Sequence, residues 1–424
     1  MEDGRVPSQD ATKQTSSTRS RGREKGRKKK KQNMGGEGAN GAVHTIEAPV
    51  PFPTETSPLK EIKEALPPAD EPKGVIAEPE PEPEKTQLVN HERFPGQPTV
   101  TLNSGWKMPL LGTGTASFPI PPVQNLKNFI LDAMEVGYRH FDSAAVYQSE
   151  EGLGAAIAEA LVKGIIKSRD ELWITTKLWC NNACPERVLP AVQESLRKLR
   201  LEYVDLYLIH FPVRLKEGIL DMTFEKDDIL PVDVKATWAA MEEIHKMGLA
   251  RSIGVSNFTC KKLTDLLAHA KIPPAVNQVE MHPVWQQKKL RDFCAEKGVH
   301  VSAYSPLGAK EWGFDVVLGN ALINDIARAK GKGVGQSGLE QSNMHAFANQ
   351  IALKWGLQQG VSLIPKSFNK GRLSQNFAIL DRQLTEEELQ QIGTIPQKRI
   401  VTIPEFIFPD GMFKSSEELW DGET

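Results

Sequence analysis

Asp142, Tyr147, Lys177 and His210 are the residues of this chain whose types and settings could carry chemistry. Asp142 follows His140-Phe141, Lys177 ends the string ITTK, His210 ends DLYLIH, and Tyr147 lies five residues after Asp142. A buried lysine needs a counter-charge, and Asp142 is of the type to supply it. An ammonium near a phenol favours phenolate, so it should draw a tyrosine down from its ordinary ~10. Tyr147 would then be a proton donor tuned toward neutral pH, with His210 hydrogen-bonded to the same oxygen. Such a group suits protonation of a carbonyl oxygen while hydride arrives at carbon. No side chain donates hydride, so a nicotinamide cofactor is implied. The plainer alternative is four satisfied core groups, but each buried charge would still need its partner. A Schiff-base lyase using Lys177 fits less well, because Asp142 should keep that amine charged and non-nucleophilic.

Other polar residues end apolar strings in the same way. Amides at Ser256-Asn257 and Gln278 could hold a carboxamide, and the ring of Tyr304 could stack on a nicotinamide. Further on, IPKSFNKGRLSQN (364–376) gathers Lys366, Ser367, Asn369 and Arg372. Arginine as a fork and lysine as a point charge recognise phosphate, which favours NADPH over NADH. The same string also reads as an ordinary basic loop that caps a helix, and the sequence weighs the two equally.

The elements that must position these residues are short apolar runs: LLGTGTA (110–116), HFDSA (140–144), LWITTKLW (172–179), VDLYLIHF (204–211), ARSIGVSN (250–257), AVNQVEM (275–281), HVSAYSPL (300–307) and VSLIPKS (361–367). Amphipathic stretches alternate with them. PERVLPAVQESLRKLR (185–200) places Val188, Leu189, Val192, Leu196 and Leu199 at helical spacing. Strands that are apolar along their whole length are buried on both faces, which implies a parallel sheet. Eight strand–helix units predict an α/β fold, a closed (β/α)8 TIM barrel, whose function lies at the C-terminal strand ends. A doubly wound open sheet is the runner-up, but no GxGxxG follows an early strand. TVTLNSGWKMP (99–109) reads as a β-hairpin turning at Asn103-Ser104-Gly105 and capping the barrel floor.

The chain has 424 residues, with Lys+Arg 52 against Asp+Glu 54 and a net charge of −2. That balance argues against a general nucleic-acid binder. No apolar run reaches the ~18 residues of a membrane span. Four scattered cysteines (180, 184, 260 and 294) suit neither a disulfide framework nor a metal cage. The start MEDGRVPSQD has no apolar signal core, so the expectation is a reduced cytoplasmic compartment, with no metal and no membrane association. Residues 1–95 differ from 96–424. Up to residue 90 their only aromatic is Phe52, eight of eleven early Lys/Arg fall in RGREKGRKKKK (21–31), and ten prolines follow between Pro49 and Pro83. Such a segment reads as a disordered tail. Its basic run is either a nuclear address or a plain solvated tail. A monomer acting on a small carbonyl compound is expected.

Taken together, these strings resemble the aldo-keto reductase superfamily. The resemblance rests on GYRHFDSAAVYQSEEGLGAAI (137–157), ITTKLW, EYVDLYLIHFP, SIGVSNF, PPAVNQVEMHP, AYSPLG and IPKSFNKGRLSQN, in order over about residues 99–400. GTGTAS and FEKDDILPVD are similar to its plant branch, with codeinone-reductase-like, methylecgonone-reductase-like, chalcone-reductase-like and deoxymugineate-synthase-like members. The resemblance implies NADPH-dependent reduction of an aldehyde or ketone by a tetrad of Asp142, Tyr147, Lys177 and His210, with Tyr147 as acid. It implies Ser256, Asn257 and Gln278 at the carboxamide, Tyr304 at nicotinamide and Ser305 and Leu307 along the pyrophosphate. Lys366, Ser367, Asn369 and Arg372 would hold the 2′-phosphate, and Gln375 and Asn376 the adenine. Ala116 stands where many relatives have Trp, and His210-Phe211-Pro212 where they have His-Trp-Pro. The pocket walls would then be Ala116, Trp179, Phe211, Trp312 and the tail PEFIFPDGMF (404–413). Residues 333–348 exceed the family's spacing and are expected to form a loose surface excursion. An NADPH-binding regulatory protein on the same barrel is the competing reading.

Overall fold

The computed structural model describes residues 93–308, 315–332 and 341–424. All of them fall in one compact unit, Thr86–Thr424. The run 21–31, the proline-rich stretch, Trp312 and residues 333–340 lie outside the described residues.

The strands are β1 (Thr99–Thr101), β2 (Lys107–Pro109), β3 (Thr113–Gly114), β4 (His140–Asp142), β5 (Trp173–Leu178), β6 (Val204–Ile209), β7 (Arg214–Leu215), β8 (Ile229–Leu230), β9 (Ala250–Ser256), β10 (Val276–Glu280), β11 (His300–Tyr304) and β12 (Ser362–Leu363). Each of the eight expected apolar runs contains one strand of a parallel sheet ordered β12-β11-β10-β9-β6-β5-β4-β3. The seam closes through Leu363, whose carbonyl accepts from Gly112 N (2.8 Å) and whose N–H donates to Leu110 O (2.7 Å). Sequential order plus closure makes a barrel and excludes the doubly wound sheet, whose strand order would reverse.

The helices are α1 (Val123–Val136), α2 (Glu150–Val162), α3 (Pro185–Leu199), α4 (Val234–Lys246), α5 (Cys260–Leu267), α6 (Lys288–Glu296), α7 (Ala321–Lys332), α8 (Gln341–Gln358), α9 (Lys370–Phe377), α10 (Glu386–Gly393) and α11 (Ser416–Leu419). In α3 four residues of the expected stripe, Val188, Val192, Leu196 and Leu199, are buried, Leu189 is half-buried against the core, and Pro185 occupies the first turn, where its missing N–H costs nothing. The expected excursion 333–348 needs correction. Its second half is the start of α8, with Ala348 buried and Phe347 packed on the core. No described helix is long and apolar enough to cross a membrane.

The hairpin β1–β2 turns where expected. Gly105 takes a φ of +83°, a region that glycine enters without strain. Asn103 Nδ2 donates to Pro274 O (3.0 Å) and Ser104 Oγ meets Ser252 Oγ (2.8 Å), which fastens the hairpin beneath β9 and β10. The chain is packed from its first described residue. Arg93 pairs with the fully buried Asp205, which Arg169 also holds at 2.7 Å. Phe94 is buried with Met108, Trp173 and Leu206 in the floor.

Two truncations separate tail from barrel. A chain that starts at Arg93 should melt within about 1 °C of the full protein. One that starts at Gly96 loses an ion-pair partner of a buried carboxylate and a buried phenyl ring. Its stability should fall by roughly 2–4 kcal/mol, seen as a drop of several degrees in Tm. Equal melting of the two would show that Arg93 and Phe94 contribute nothing.

Candidate active site

Parallel strands aim their C-terminal ends at one face, and four expected residues meet there. Asp142 ends β4, Lys177 lies in β5, His210 follows β6, and Tyr147 sits on the 3₁₀ turn Ala145–Tyr147. Lys177 Nζ donates to Asp142 Oδ1 at 2.5 Å and to Ser143 O at 2.9 Å. Both side chains are shielded from solvent. Tyr147 OH lies 3.2 Å from His210 Nε2, and the Lys177 ammonium is 4.8 Å from the centre of the phenol ring.

The electrostatics correct one expectation. Burial first, then the negative charge of Asp142 and the neighbouring Tyr304 phenol, push Tyr147 well above its ordinary range. The nearby ammonium does not draw it down, because that ammonium is itself desolvated and faces Asp142. Burial and Lys177 hold His210 well below the ordinary imidazole range. The site therefore holds a protonated phenol against a neutral imidazole. Burial also lowers Lys177, opposed by Asp142.

A second set of side chains continues from Asp142. Gln278 Nε2 donates to Asp142 Oδ2 (2.7 Å), and Ser256 Oγ donates to Gln278 O (2.8 Å). Asn257, at a φ of +65° that asparagine tolerates, donates through Nδ2 to His210 O (2.9 Å). Tyr304 OH donates to Asn257 Oδ1 (2.7 Å). These four expected carboxamide-side residues thus form one network with the acid pair. Ser305 begins the turn after β11, with Gly308 N donating to its carbonyl, and Leu307 packs on the core.

The other cluster lies beyond β12. Asn369 caps α9 by accepting from Arg372 N (2.9 Å), and Arg372 Nε donates to Ser367 Oγ (3.0 Å). Among the described residues no carboxylate pairs with Arg372, whereas Lys370 is drawn to Asp132 and Glu135. A guanidinium and a hydroxyl at a helix N-terminus, with Lys366 in the same loop, form a donor set suited to a phosphate monoester. On that chemistry the residues fit NADPH. Further along α9, Gln375 is exposed and Asn376 buried.

Ala116 is half-buried just past β3. Trp179 packs edge-on to His210 (5.3 Å), and Phe211 stacks on the other side (5.2 Å). Phe406, from the expected tail, backs Phe211 at 5.6 Å and stacks with Phe224 at 5.1 Å. Trp179 Nε1 and His210 Nδ1 are buried without a partner among the described residues. Sequence reasoning overlooked Phe224 and the acid–base pair Glu280–His282 (3.0 Å). Glu280 follows Gln278 by two residues, so a strand period carried one step further would have marked it. No described group of three or more His, Cys, Asp or Glu residues could hold a metal.

Residues 110–312 match the Aldo/keto reductase family. The chain is 51% identical over 328 residues to the NADPH-dependent codeinone reductase 1-4 of Papaver somniferum, covering 77% of this chain and 98% of that one. It is 49% identical over 322 residues to deoxymugineic acid synthase 1 of Oryza sativa subsp. japonica, covering 76% and 96%. Its fold matches a Bombyx mori aldo-keto reductase solved in complex with NADP, with a TM-score of 0.64 and 36% identity over 74% of this chain and 97% of that one. With closed barrel, four-residue acid cluster and full-length relatives in agreement, the chain belongs to the aldo/keto reductase family.

Proposed function

We propose that this protein is an NADPH-dependent reductase that converts an aldehyde or ketone to the alcohol. The observation that carries the reading is Tyr147 OH at 3.2 Å from His210 Nε2, beside the buried Lys177–Asp142 pair. When bound, NADPH supplies the hydride. Tyr147 holds the proton that goes to the carbonyl oxygen, and burial keeps it protonated. His210, neutral, orients that oxygen from the second side. Lys177 and Asp142 hold a positive and a negative charge at fixed places under the phenol, so the developing oxyanion meets a preorganised field. Ser256, Asn257 and Gln278 would orient the carboxamide, Tyr304 the nicotinamide face, and Ser305 and Leu307 the pyrophosphate. Lys366, Ser367, Asn369 and Arg372 would select the 2′-phosphate, with Gln375 and Asn376 at the adenine. Residues 96–424 would carry this activity as a cytoplasmic monomer, and residues 1–95 would be an appended tail. The regulatory alternative has no feature of the site in its favour, since all four acid-cluster groups are in place.

Oxidation of NADPH across a panel of aldehydes and ketones, followed by its absorbance, tests the reading. No turnover with any carbonyl would overturn it. Tyr147→Phe should lower kcat by about 10²–10⁴ while NADPH affinity stays within about twofold. The unaltered enzyme should keep a flat kcat/KM for reduction from about pH 6 to 9, since a phenol raised above ~10 stays protonated there. A decline beginning near neutrality would mean that another group is the acid.

Arg372→Ala should weaken NADPH by about 10- to 100-fold, the worth of a charge-assisted bond, and leave NADH nearly unchanged. Fluorescence titrations with both cofactors distinguish this from general damage to the loop, which would weaken them equally.

A further inference from the structure

Residues 399–424 cross the catalytic face as a strap with both ends fastened. At the near end, Glu280 accepts from Ile400 N (3.1 Å) and Val401 N (3.0 Å), and from His282. Glu280 is fully buried and lies across from Tyr304 in the β10–β11 register. Arg399 lies between the rings of Trp285 (5.0 Å) and Trp420 (3.8 Å), and donates to Glu423 O (3.0 and 2.8 Å). At the far end, Asp421 accepts from Thr259 Oγ1 (2.6 Å) and pairs with Lys262, while the Glu423 carboxylate accepts from Cys260 N (3.1 Å). That second anchor is the start of α5, two to three residues past Asn257. Between the anchors the strap carries Phe406 against Phe211, which stacks on His210.

We propose that Glu280 is a positioning residue for carbonyl binding. One carboxylate takes two successive backbone N–H groups, so it fixes where the strap enters. That placement seats Phe406, and Phe406 sets the depth of Phe211 against the imidazole that orients the substrate oxygen. A buried carboxylate suits this duty better than a neutral acceptor, because its bonds to N–H groups are charge-assisted and shorter. The inference rests on the carbonyl-reductase reading, and concerns where the substrate sits, leaving the cofactor site untouched.

The test compares the unaltered enzyme with Glu280→Gln, Phe406→Ala and the double variant, using one bulky ketone, one small aldehyde and NADPH titration. Glu280→Gln should raise KM for the ketone about fivefold, roughly what a weakened hydrogen bond is worth. Its kcat on the aldehyde and its Kd for NADPH should stay within about twofold. The double variant should have the KM of Phe406→Ala alone, because Glu280 acts through that ring. Additive losses, or a parallel loss of NADPH affinity, would overturn the proposal, since a merely structural role moves every parameter together. If Glu280→Gln fails to fold, Arg399→Lys takes its place with the same expected split. It loosens the same strap end while leaving the Glu280 carboxylate in place, and unchanged ketone KM there would overturn the proposal. Absence of turnover in the unaltered enzyme would overturn the reductase reading itself, and this inference with it.

Discussion

The site depends on one buried ion pair, Lys177 with Asp142. Taking two charges out of water costs several kcal/mol per ion, and the pair is tolerable only when geometry and further hydrogen bonds compensate. Both conditions are met by the barrel. Asp142 stands opposite Thr175 in the β4–β5 register, and Lys177 is two residues further along β5, on the same face. The remaining carboxylate oxygen takes Gln278, and the ammonium takes Ser143 O. Removing either partner would leave a bare charge in the core, so the pair constrains three strands at once, β4, β5 and β10.

The same two-residue step recurs around the barrel. Lys177 is opposite Leu208, and His210 lies two residues past Leu208. Leu208 is opposite Gly254, and Ser256 lies two residues past Gly254. Ser256 is opposite Gln278, Gln278 opposite Ser302, and Tyr304 two residues past Ser302. Strands in a closed barrel must tilt and stagger, and the stagger advances each chemically active residue along an inward-facing column. A residue's place at the rim therefore follows from strand number and parity. This is why Asp142, Lys177, His210, Ser256, Asn257, Gln278 and Tyr304 form one hydrogen-bonded network although they span residues 142 to 304.

That parity also explains what could be read from the chain. Barrel strands are buried on both faces, so they read as apolar runs, and a polar residue at the C-terminal end stands out. Asp142, Lys177, His210, Gln278 and Tyr304 are legible for that reason. The direction of the Tyr147 shift is not, because it turns on how completely the ring is buried and where the ammonium points. Arg93 was hidden in a polar stretch, since only the fold brings Asp205 beneath it. The start of α8 was hidden as well: residues 341–348 carry no apolar stripe of their own, and Phe347 and Ala348 gain their burial from the neighbouring core. Glu280 reads as one more strand residue until the C-terminal strap is laid over it.

The barrel's shortest strands, β3 and β12, meet at its closing seam, two residues each. Four hydrogen bonds cross that junction among the described residues: Leu363 bonds to Leu110 and Gly112, and Pro365 O accepts from Gly114 N (3.2 Å) and Thr113 Oγ1 (3.1 Å). The seam cannot rest on so few hydrogen bonds, so packing behind it must hold it. That packing comes from α8, whose Ile351, Ala352, Leu353 and Trp355 are buried in the main core. Lys366, Ser367 and Arg372 leave directly from this seam. The group proposed to hold the 2′-phosphate is thus mounted on the least self-sufficient part of the sheet, and its geometry is borrowed from α8, whose first turns include the second half of the expected excursion. Anything bound by those residues would in turn tie β12 to α9 and stabilise the closure, since a ligand that prefers the folded state adds its binding free energy to it. Cofactor capture and barrel closure are on this view two readings of the same contacts.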